Sequence, residues 1–422
     1  MGATGGVGAY LRSLDPKLPR TVWILETGFF LNAFGTGIAY PFLVIYLHNV
    51  RGIGLGTAGL VIAATGFTGL AVGPIMGRAV DRFGPRATLA AALVVSATGY
   101  ALFPLVRDSW SAFLVAGLVG IGSAGFWPSQ STLLAALAPP ARRHAAYGVQ
   151  RGMFNLGLGL GGMTGGLIAS TASPDTFTVL FLLDAAATLG FVAVLPFVPD
   201  PGFHRARALG DAARGGYRDV LRDRPFIGLI ALNVVFVSAG YTQLELLPVF
   251  AKNEAGVSER AIGFIFLASS VALVVCQLPV AKLVEGRSRM RALAAMPALW
   301  AVAWLIVEGG GIWLEAAAAA VAFGVAAVIF AVGECLDGPA RIALVADLVP
   351  GRLQGRYWAV SANSWDVGYI IGPAVGGLVL AAEPLALWPL AAAVCGVAVV
   401  ATLALERRIP LELRLTPSPQ SA

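Results

Sequence analysis

Long apolar segments recur along the whole chain, and they limit its fold more than any other feature. A helix needs about 20 apolar residues to cross a bilayer, and its backbone groups must find partners inside the protein. Of the 422 residues, 57% are hydrophobic and only 12% are charged, too few charges to cover a soluble protein. The segments predict an all-α membrane protein with twelve transmembrane helices, at residues 21–48, 55–77, 87–106, 110–137, 145–171, 177–198, 226–250, 260–284, 292–307, 312–338, 357–382 and 384–405.

Lysine and arginine residues lie mostly at one end of these segments. If the N-terminus is in the cytoplasm, 25 of the 29 basic residues fall on the cytoplasmic side, and only Arg51, Arg107, Lys252 and Arg260 lie outside. Membrane proteins keep their positive loops in the cytoplasm. We therefore expect a multi-pass protein of the bacterial inner membrane, with both termini cytoplasmic. The charge is spread over many loops, so the expected partner is the lipid bilayer and not a nucleic acid.

The second half of the sequence repeats the first half in the same direction. Gly59 matches Gly263 at an offset of 204 residues, and Gly166 matches Gly377 at an offset of 211. Parallel six-helix repeats are a transporter architecture, with the substrate site between the halves. The polar stretch between them predicts a division into an N-terminal six-helix half at 1–198, a cytoplasmic linker at 199–225 and a C-terminal six-helix half at 226–422.

A turn rich in glycine and arginine follows the second predicted helix, from Gly77 to Leu89. Glycine permits the reversal, and Asp81 can meet nearby arginines and the positive start of the next helix. The turn resembles the signature loop of the major facilitator superfamily, G-x-L-A-D-R-x-G-R-R-x-x-L. An ordinary positive-inside loop is the alternative. The matching positions are Gly77, Asp81, Arg82, Gly84, Arg86 and Leu89, whereas Ala79, Val80 and Pro85 depart from the signature.

Regularly spaced glycines mark the fifth and eleventh predicted helices. Glycines on one face let two helices touch, so plain helix packing is one interpretation. The pattern also resembles G-x8-G-x3-G-P-x2-G-G of superfamily exporters, and that resemblance implies an antiporter that exports drugs. The fifth helix carries Gly148, Gly157, Gly161, Gly162, Gly165 and Gly166, with Gly162 in the place of the proline, and the eleventh carries Gly368, Gly372, Pro373, Gly376 and Gly377.

Within the superfamily, the tenth helix resembles the bacterial drug:proton antiporter branch, where a glutamate follows a glycine as Glu334 follows Gly333 here. One position departs from the pattern. Many exporters carry an arginine in the fourth helix, four residues before a glycine, and Ala116 occupies that place before Gly120. The usual account of proton coupling therefore does not transfer. Arg151 in the fifth helix could replace the missing charge.

Carboxylates inside predicted helices are the candidates for proton coupling. Charged groups in a membrane are costly and point to function. Glu334 and Asp337 share one helix face, and two carboxylates so close in a low dielectric do not both ionise readily. We predict that Glu334, Asp337 and Glu26 couple transport to protons. The alternatives are a permanent ion pair between Glu334 and Arg341, and a Glu26 side chain that merely snorkels near Arg20.

Aromatic and polar residues on the presumed central helices form the predicted substrate cavity. Trp127 could equally belong to the core, and Asp366 could pair with Arg341 or Arg151. The sequence shows neither metal-ligand spacing nor a Walker loop, so we expect no metal, cofactor or ATP. The cavity residues are Asn32, Tyr40, Trp127, Gln130, Asn233, Tyr241, Arg151 and Asp366.

These features together predict a monomeric secondary transporter that exports small amphipathic compounds in exchange for protons. A proton-coupled symporter or a lysolipid or glycolipid flippase of the same fold is the runner-up. A membrane enzyme would need clustered His/Asp or Ser/His groups facing one leaflet, and the sequence lacks them. A receptor built on the fold would be separated from a transporter by a flux assay.

The basic-residue count generates a test of orientation. Single cysteines replacing Gly2, Gly215 or Ser418, in a background without the three native cysteines, should react with a membrane-impermeant maleimide only from the cytoplasmic side. Labelling of any one of them from outside would overturn the predicted orientation.

Overall fold

Twelve long helices account for nearly all the regular structure in a computed structural model that describes residues 17–200, 217–241, 243–348 and 354–416. Within these ranges the twelve-helix prediction is confirmed. The helices are α1 (Arg20–Val50), α2 (Leu55–Phe83), α3 (Pro85–Leu102), α4 (Ser109–Leu137), α5 (Arg143–Ile168), α6 (Asp175–Val194), α7 (Arg224–Asn253), α8 (Glu259–Val284), α9 (Arg289–Trp313), α10 (Ala316–Leu348), α11 (Gln354–Ala382) and α12 (Leu387–Glu406).

In the described part of the chain, eleven of these helices are long and apolar enough to span a membrane by themselves. The twelfth, α5, is 26 residues long and is the glycine-rich helix that also carries Arg151 and Asn155. It packs between α1 and α8, so protein rather than lipid surrounds much of its length. A less apolar helix is tolerated in such a place because its polar groups face other helices.

The boundary between α9 and α10 differs from the prediction. The ninth segment was expected at 292–307, but α9 continues to Trp313, and only Leu314 and Glu315 separate it from α10. Glycines 309–311 weaken helix propensity in this region. They are kept helical by packing, since a Cβ atom on Gly310 or Gly311 would lie 2.7 or 2.6 Å from the rings of Phe323 and Phe250.

Most of the predicted linker, at 201–216, lies outside the described residues, as do Gly2, Gly215 and Ser418. A six-residue helix, Tyr217–Arg222, precedes α7. Among α1–α6, α1 packs on α5 and α6, and α4 packs on α2 and α3. Among α7–α12, α9 packs on α10 and α12, and α10 also packs on α8. The main contacts between the two sets are α2 with α11 and α5 with α8.

Glycines make these two contacts, and they are the glycines that the repeat had paired. A Cβ atom on Gly59 would lie 2.8 Å from the Cα atom of Gly377, and one on Gly263 would lie 3.0 Å from the Cα atom of Gly166. Backbones this close exclude any side chain. The two crossings are therefore equivalent under the repeat, as expected for halves related by an axis along the membrane normal.

The bundle has two ends. We call the end where α1 begins at Arg20 the N-terminal face, and the end where α1 gives way to α2, at residues 51–54, the opposite face. The glycine crossings lie toward the opposite face. Beside them Asn49 donates a hydrogen bond of 2.7 Å from its side-chain nitrogen to Oδ1 of Asn253, and Thr171 donates through its backbone N–H (3.0 Å) and hydroxyl (2.8 Å) to Oε1 of Glu259.

Toward the N-terminal face the halves separate. Four glycines near this face have open space where a side chain would begin, since an added Cβ atom would meet no atom within 4 Å beyond its own helix. They are Gly73 and Gly77 of α2 and Gly148 and Gly152 of α5. The same two helices that touch the other half near the opposite face are thus open near the N-terminal face. The structure is closed at one end and open at the other.

The tight crossing predicts a sharp difference between two glycines. Gly263→Ala would place a Cβ atom 2.6 Å from the backbone oxygen of Gly162, and we expect a loss of about 1–3 kcal/mol of stability. Gly324 in α10 meets nothing within 4 Å, so Gly324→Ala should keep or raise stability. Thermal unfolding of the purified variants checks this. Equal melting temperatures would contradict the packing argument.

Candidate functional site

An ion pair joins the two halves inside the opening. Nη2 of Arg151, on α5, lies 3.2 Å from Oε1 of Glu334, on α10. The two side chains are 27% and 18% exposed, so water reaches both of them. The suggestion that Arg151 supplies a charge missing from α4 fits this placement, because Ala116 is buried and Arg151 meets the helix 10 glutamate directly.

Helix α10 breaks its regular winding just after Glu334. The α-helical part ends at Glu334, and a π-helical turn covers Gly338–Ile342. Pro339 has no N–H group and cannot continue the α-helical hydrogen bonding. Such turns often occur at functional sites. Here the break changes the direction of the side chains that follow it.

A second ion pair lies one turn beyond the first. Arg341 donates two hydrogen bonds, of 2.6 and 2.7 Å, to the carboxylate of Asp337, and both side chains are 4% exposed. The alternative pairing of Glu334 with Arg341 is therefore wrong. Asp337 was predicted to share the proton-coupling role with Glu334. The structure instead gives it a buried, bidentate partner on its own helix.

Aromatic side chains flank the ion pair in both halves. Trp127 of α4 packs against Phe29 and Phe154, with ring centroids 6.0 and 5.6 Å away, and is still 46% exposed. Phe154 follows Arg151 by three residues, so the two lie on neighbouring positions of α5. The N-terminal half therefore presents an aromatic surface next to the arginine.

The C-terminal half presents a matching cluster. Tyr241 of α7 lies 4.8 Å from Trp365 of α11 and 5.9 Å from Phe330 of α10, measured between ring centroids. Phe330 precedes Glu334 by one helical turn, and Trp365 is 37% exposed. The neighbouring Asp366 is half-buried and pairs with neither of the two arginines suggested for it, which are bound to Glu334 and Asp337 instead. The site thus combines flat aromatic faces with the carboxylate of Glu334 on α10, and Asp366 on α11 lies next to the aromatic cluster in sequence.

Two predicted cavity residues are buried between helices and do not line the opening. Asn233 donates a 2.7 Å hydrogen bond to the Ser364 hydroxyl, which ties α7 to α11. Gln130 is fully buried, and its side-chain nitrogen and oxygen have no hydrogen-bond partner in the described structure. The prediction that they form cavity wall is wrong for this structure. Hydropathy marks a polar residue in a membrane helix but does not say which neighbour it faces.

Two further predicted cavity residues lie on α1. Tyr40 stands at the short 3-10 turn Tyr40–Phe42 and lines a small internal cavity together with Tyr100 and Tyr369. Its hydroxyl is buried without a partner among the described residues. Asn32 is half-buried and approaches the Thr36 hydroxyl at 3.4 Å along its own helix. Neither residue contacts the Arg151–Glu334 pair.

Glu26 is fully buried in the N-terminal half. Neither carboxylate oxygen has a hydrogen-bond partner within the described ranges, and apolar residues such as Leu25 and Phe29 are buried around it. The snorkelling alternative is wrong, because the side chain does not reach the surface. An ionised carboxylate there would carry a large desolvation cost, so the neutral acid suits this environment.

The signature turn between α2 and α3 is built as the glycines suggest. Gly84 has φ +86°, a conformation that favours glycine. Arg86 donates to the backbone oxygen of Val198 at 3.0 Å and so ties α3 to the end of α6. Arg82 lies over the ring of Phe83. Asp81 is exposed and, in the described part of the chain, makes no ion pair, consistent with an open N-terminal face.

The glycine pattern of α5 serves two different contacts. Gly157, Gly161 and Gly165 face α1, where a Cβ atom on Gly157 would lie 2.7 Å from that of Ala33. Gly162 and Gly166 face α8 of the other half instead. Sequence reasoning missed this division. In α11, Gly372, Pro373 and Gly376 are buried, and the Pro373 backbone faces Gly59.

A twelve-helix bundle in two parallel repeats, with an opening between them, is an architecture of secondary transporters. The sequence agrees with this class. It matches the sequence model of the Major Facilitator Superfamily over residues 25–307 and 242–421. The chain belongs to this family.

The chain is also similar to individual relatives in sequence and to solved structures in fold. The chain is 25% identical over 372 residues to the uncharacterized MFS-type transporter YhjO of Bacillus subtilis (strain 168), covering 87% of this chain and 88% of that protein. It is 26% identical over 354 residues to the multidrug resistance protein MdtH of Cronobacter sakazakii (strain ATCC BAA-894), covering 82% and 83%. Its fold is similar to that of a POT family transporter in complex with 5-aminolevulinic acid (TM-score 0.75, 14% identity, 94% and 97% covered) and to that of the nucleoside transporter NupG (TM-score 0.71, 13% identity, 92% and 99% covered).

The two ion pairs of α10 should respond differently to mutation. Asp337→Asn leaves Arg341 buried without its partner, which typically costs about 3–5 kcal/mol, and we expect a clearly lower melting temperature. Replacing both residues with apolar ones, Asp337→Leu with Arg341→Met, should recover much of that loss. Glu334→Gln should change stability little, because its site is wet. Equal destabilisation by Asp337→Asn and Glu334→Gln would contradict the distinction.

Proposed function

We propose that this transporter exports small amphipathic, drug-like compounds across the bacterial inner membrane in exchange for protons, as a monomer and without enzymatic activity. The observation that carries the proposal is the Arg151–Glu334 ion pair, which links the halves inside the opening. The resemblance of α5 and α10 to drug:proton antiporters and the 26% identity to a multidrug resistance protein support the direction of transport.

Glu334 is the proposed proton carrier. When it is ionised and no substrate is present, its pairing with Arg151 holds the empty transporter in the conformation described here. A proton that arrives from water at Oε1 of Glu334 removes the charge, and Arg151 then loses its partner. The link between α5 and α10 weakens, and the halves become free to rock about the glycine crossings.

A cationic or polar substrate has the same effect by a different route. It competes with Arg151 for the ionised Glu334 while its flat apolar part lies against Trp127, Tyr241 or Trp365. The aromatic faces provide dispersion contacts and cation–π attraction. Proton and substrate thus release the same ion pair and exclude each other from the same carboxylate. Exchange of substrate for protons requires this exclusion. It also requires that the transporter with neither bound stays locked, as it does when the ionised Glu334 is paired with Arg151.

Two other acids have supporting roles in the proposal. Asp366 borders the aromatic cluster of the C-terminal half and offers a second attraction for a positively charged group. Glu26 is a proton-binding candidate inside the N-terminal half, since its burial favours the neutral acid. Asp337 is assigned a structural role, because Arg341 already occupies both of its oxygens.

The proton-carrier proposal has a direct test in proteoliposomes. Glu334→Gln cannot ionise and cannot attract a cation, so we expect it to retain counterflow of an uncharged aromatic substrate without a gradient and to lose at least about tenfold of the flux driven by a pH gradient. Glu383→Gln, an exposed acid at the opposite face, is the control and should behave as wild type. Gradient-driven flux in Glu334→Gln at the wild-type level would exclude Glu334 as the carrier. A loss of counterflow of the uncharged substrate as well would show that the variant is impaired in the transport cycle itself, and would contradict a role limited to exchanging protons and cations.

The signature turn gives a second prediction about transport. We propose that Asp81 forms an ion pair or helix-end contact across the halves when the N-terminal face closes, which locks the alternate state. Asp81→Asn should insert normally and lose most transport. Glu285→Gln changes the acid at the equivalent place of the repeat and should retain more activity. Wild-type flux in Asp81→Asn would reduce the turn to a topology signal.

A further inference from the structure

An apolar groove opens on the outer surface of the C-terminal half, near the N-terminal face. It lies between the end of α8 and the start of α9, with α10 as its floor, and it encloses about 620 Å³. Consecutive helices usually pack together, but α8 and α9 diverge here and leave α10 uncovered between them. The lining residues are Val280, Leu283, Val284, Arg287, Ser288, Arg291, Ala292, Ala295, Leu299, Val332 and Leu336.

The groove faces away from the transport opening. Val332 and Leu336 both line the groove, so they lie on the same side of α10. Glu334 follows Val332 by two residues within the regular part of the helix, which places it about 200° around the helix from Val332. Since Glu334 points across the opening to Arg151, the face with Val332 and Leu336 points outward. In a membrane protein that side meets lipid.

The depth of the groove suits one acyl chain. Arg291, Ala295 and Leu299 follow one another along α9 at intervals of one turn. Leu299 lies ten residues beyond the start of α9, about 15 Å along the helix axis. That distance is about half the thickness of a hydrocarbon core. The apolar walls therefore extend from the end of the helices to the level of the bilayer centre.

Two arginines stand at the rim, at the level of the lipid headgroups. Arg287 is exposed, and its guanidinium has no hydrogen-bond or ion-pair partner among the described residues. The side chain of Arg291 is 78% exposed, and its Nε atom is 3.9 Å from Glu406. Glu406 also accepts a 2.7 Å hydrogen bond from the Ser288 hydroxyl. Glu285 is exposed and lies two residues before Arg287. Each arginine therefore has an acid nearby, but neither guanidinium is held by a short ion pair in the described part of the chain.

The segment that follows α12 fixes this rim in place. Thr416 donates its backbone N–H to the carbonyl oxygen of Arg287 at 3.0 Å, and the Arg287 N–H donates to the Thr416 hydroxyl at 3.2 Å. The N–H of Arg289 donates to the carbonyl oxygen of Arg414 at 2.8 Å. A short strand-like pairing therefore holds the turn between α8 and α9, and the arginines project from a fixed backbone.

We propose that the groove binds a phospholipid with an anionic headgroup. One acyl chain lies along α9 and α10, and the headgroup phosphate lies between Arg287 and Arg291. Basic pockets between helices at a membrane surface bind anionic lipids in this way. A soluble phosphate would gain nothing from the apolar floor. The site is separate from the transport opening, so it stands or falls independently of the proposed function.

The test uses the purified full-length protein in mild detergent, with phosphatidylglycerol or phosphatidylcholine added. Native mass spectrometry counts bound lipids, and thermal unfolding measures the stabilisation. We expect phosphatidylglycerol to bind more tightly and to raise the melting temperature more than phosphatidylcholine. Arg287→Gln with Arg291→Gln should weaken phosphatidylglycerol binding about tenfold and remove the difference between the two lipids.

Two further variants keep the test decisive. Ala295→Trp fills the groove and leaves both arginines in place, so it should reduce binding of the acyl chain. Arg107→Gln removes an exposed arginine at the opposite face and should bind phosphatidylglycerol as wild type does. Wild-type protein that does not distinguish the two lipids would overturn the proposal. Wild-type binding by the double arginine variant, or by Ala295→Trp, would overturn it as well.

Discussion

The close contact of backbones at Gly59–Gly377 and Gly166–Gly263 is the constraint on which the rest of the structure depends. Because no side chain separates these helices, the halves touch near the opposite face along two equivalent lines. They diverge toward the N-terminal face, where the glycines of α2 and α5 meet nothing beyond their own helices. In the proposed mechanism, these crossings are the fulcrum about which the halves rock.

The two ion pairs of α10 differ in burial and in geometry. Asp337 and Arg341 are almost fully buried and doubly hydrogen-bonded, so removing either charge leaves the other one stranded in the core. Glu334 and Arg151 share a single 3.2 Å contact in a site that water reaches. That pair can open without stranding a charge. Of the two pairs, the one between Glu334 and Arg151 connects α5 with α10, which suits it to controlling how the halves move.

Much of the fold could be predicted from the sequence, because a bilayer demands long apolar helices and a repeat preserves its glycines. Gly59 and Gly263 matched in sequence, and both lie at crossings between the halves. The site was less predictable. Arg151 and Glu334 are 183 residues apart, and nothing local in the sequence pairs them. Gln130 and Asn233 were placed in the cavity because they are polar, yet in membrane helices such groups also bond to neighbouring helices. The side that a helical residue faces depends on packing partners, which a hydropathy pattern does not contain.

The central claim is that the charge on Glu334 controls the distance between the halves. Pulsed electron paramagnetic resonance would report that distance between two pairs of spin labels. One pair, at Ala145 on α5 and Leu283 on α8, lies near the N-terminal face. The other pair, at Gly54 and Arg260, lies at the opposite face. On acidification of the wild type, we expect a population with a shorter distance at the N-terminal face and a longer one at the opposite face. Glu334→Gln should show that population at every pH. Distances in the wild type that do not change with pH, or a pH response retained in Glu334→Gln, would contradict the claim.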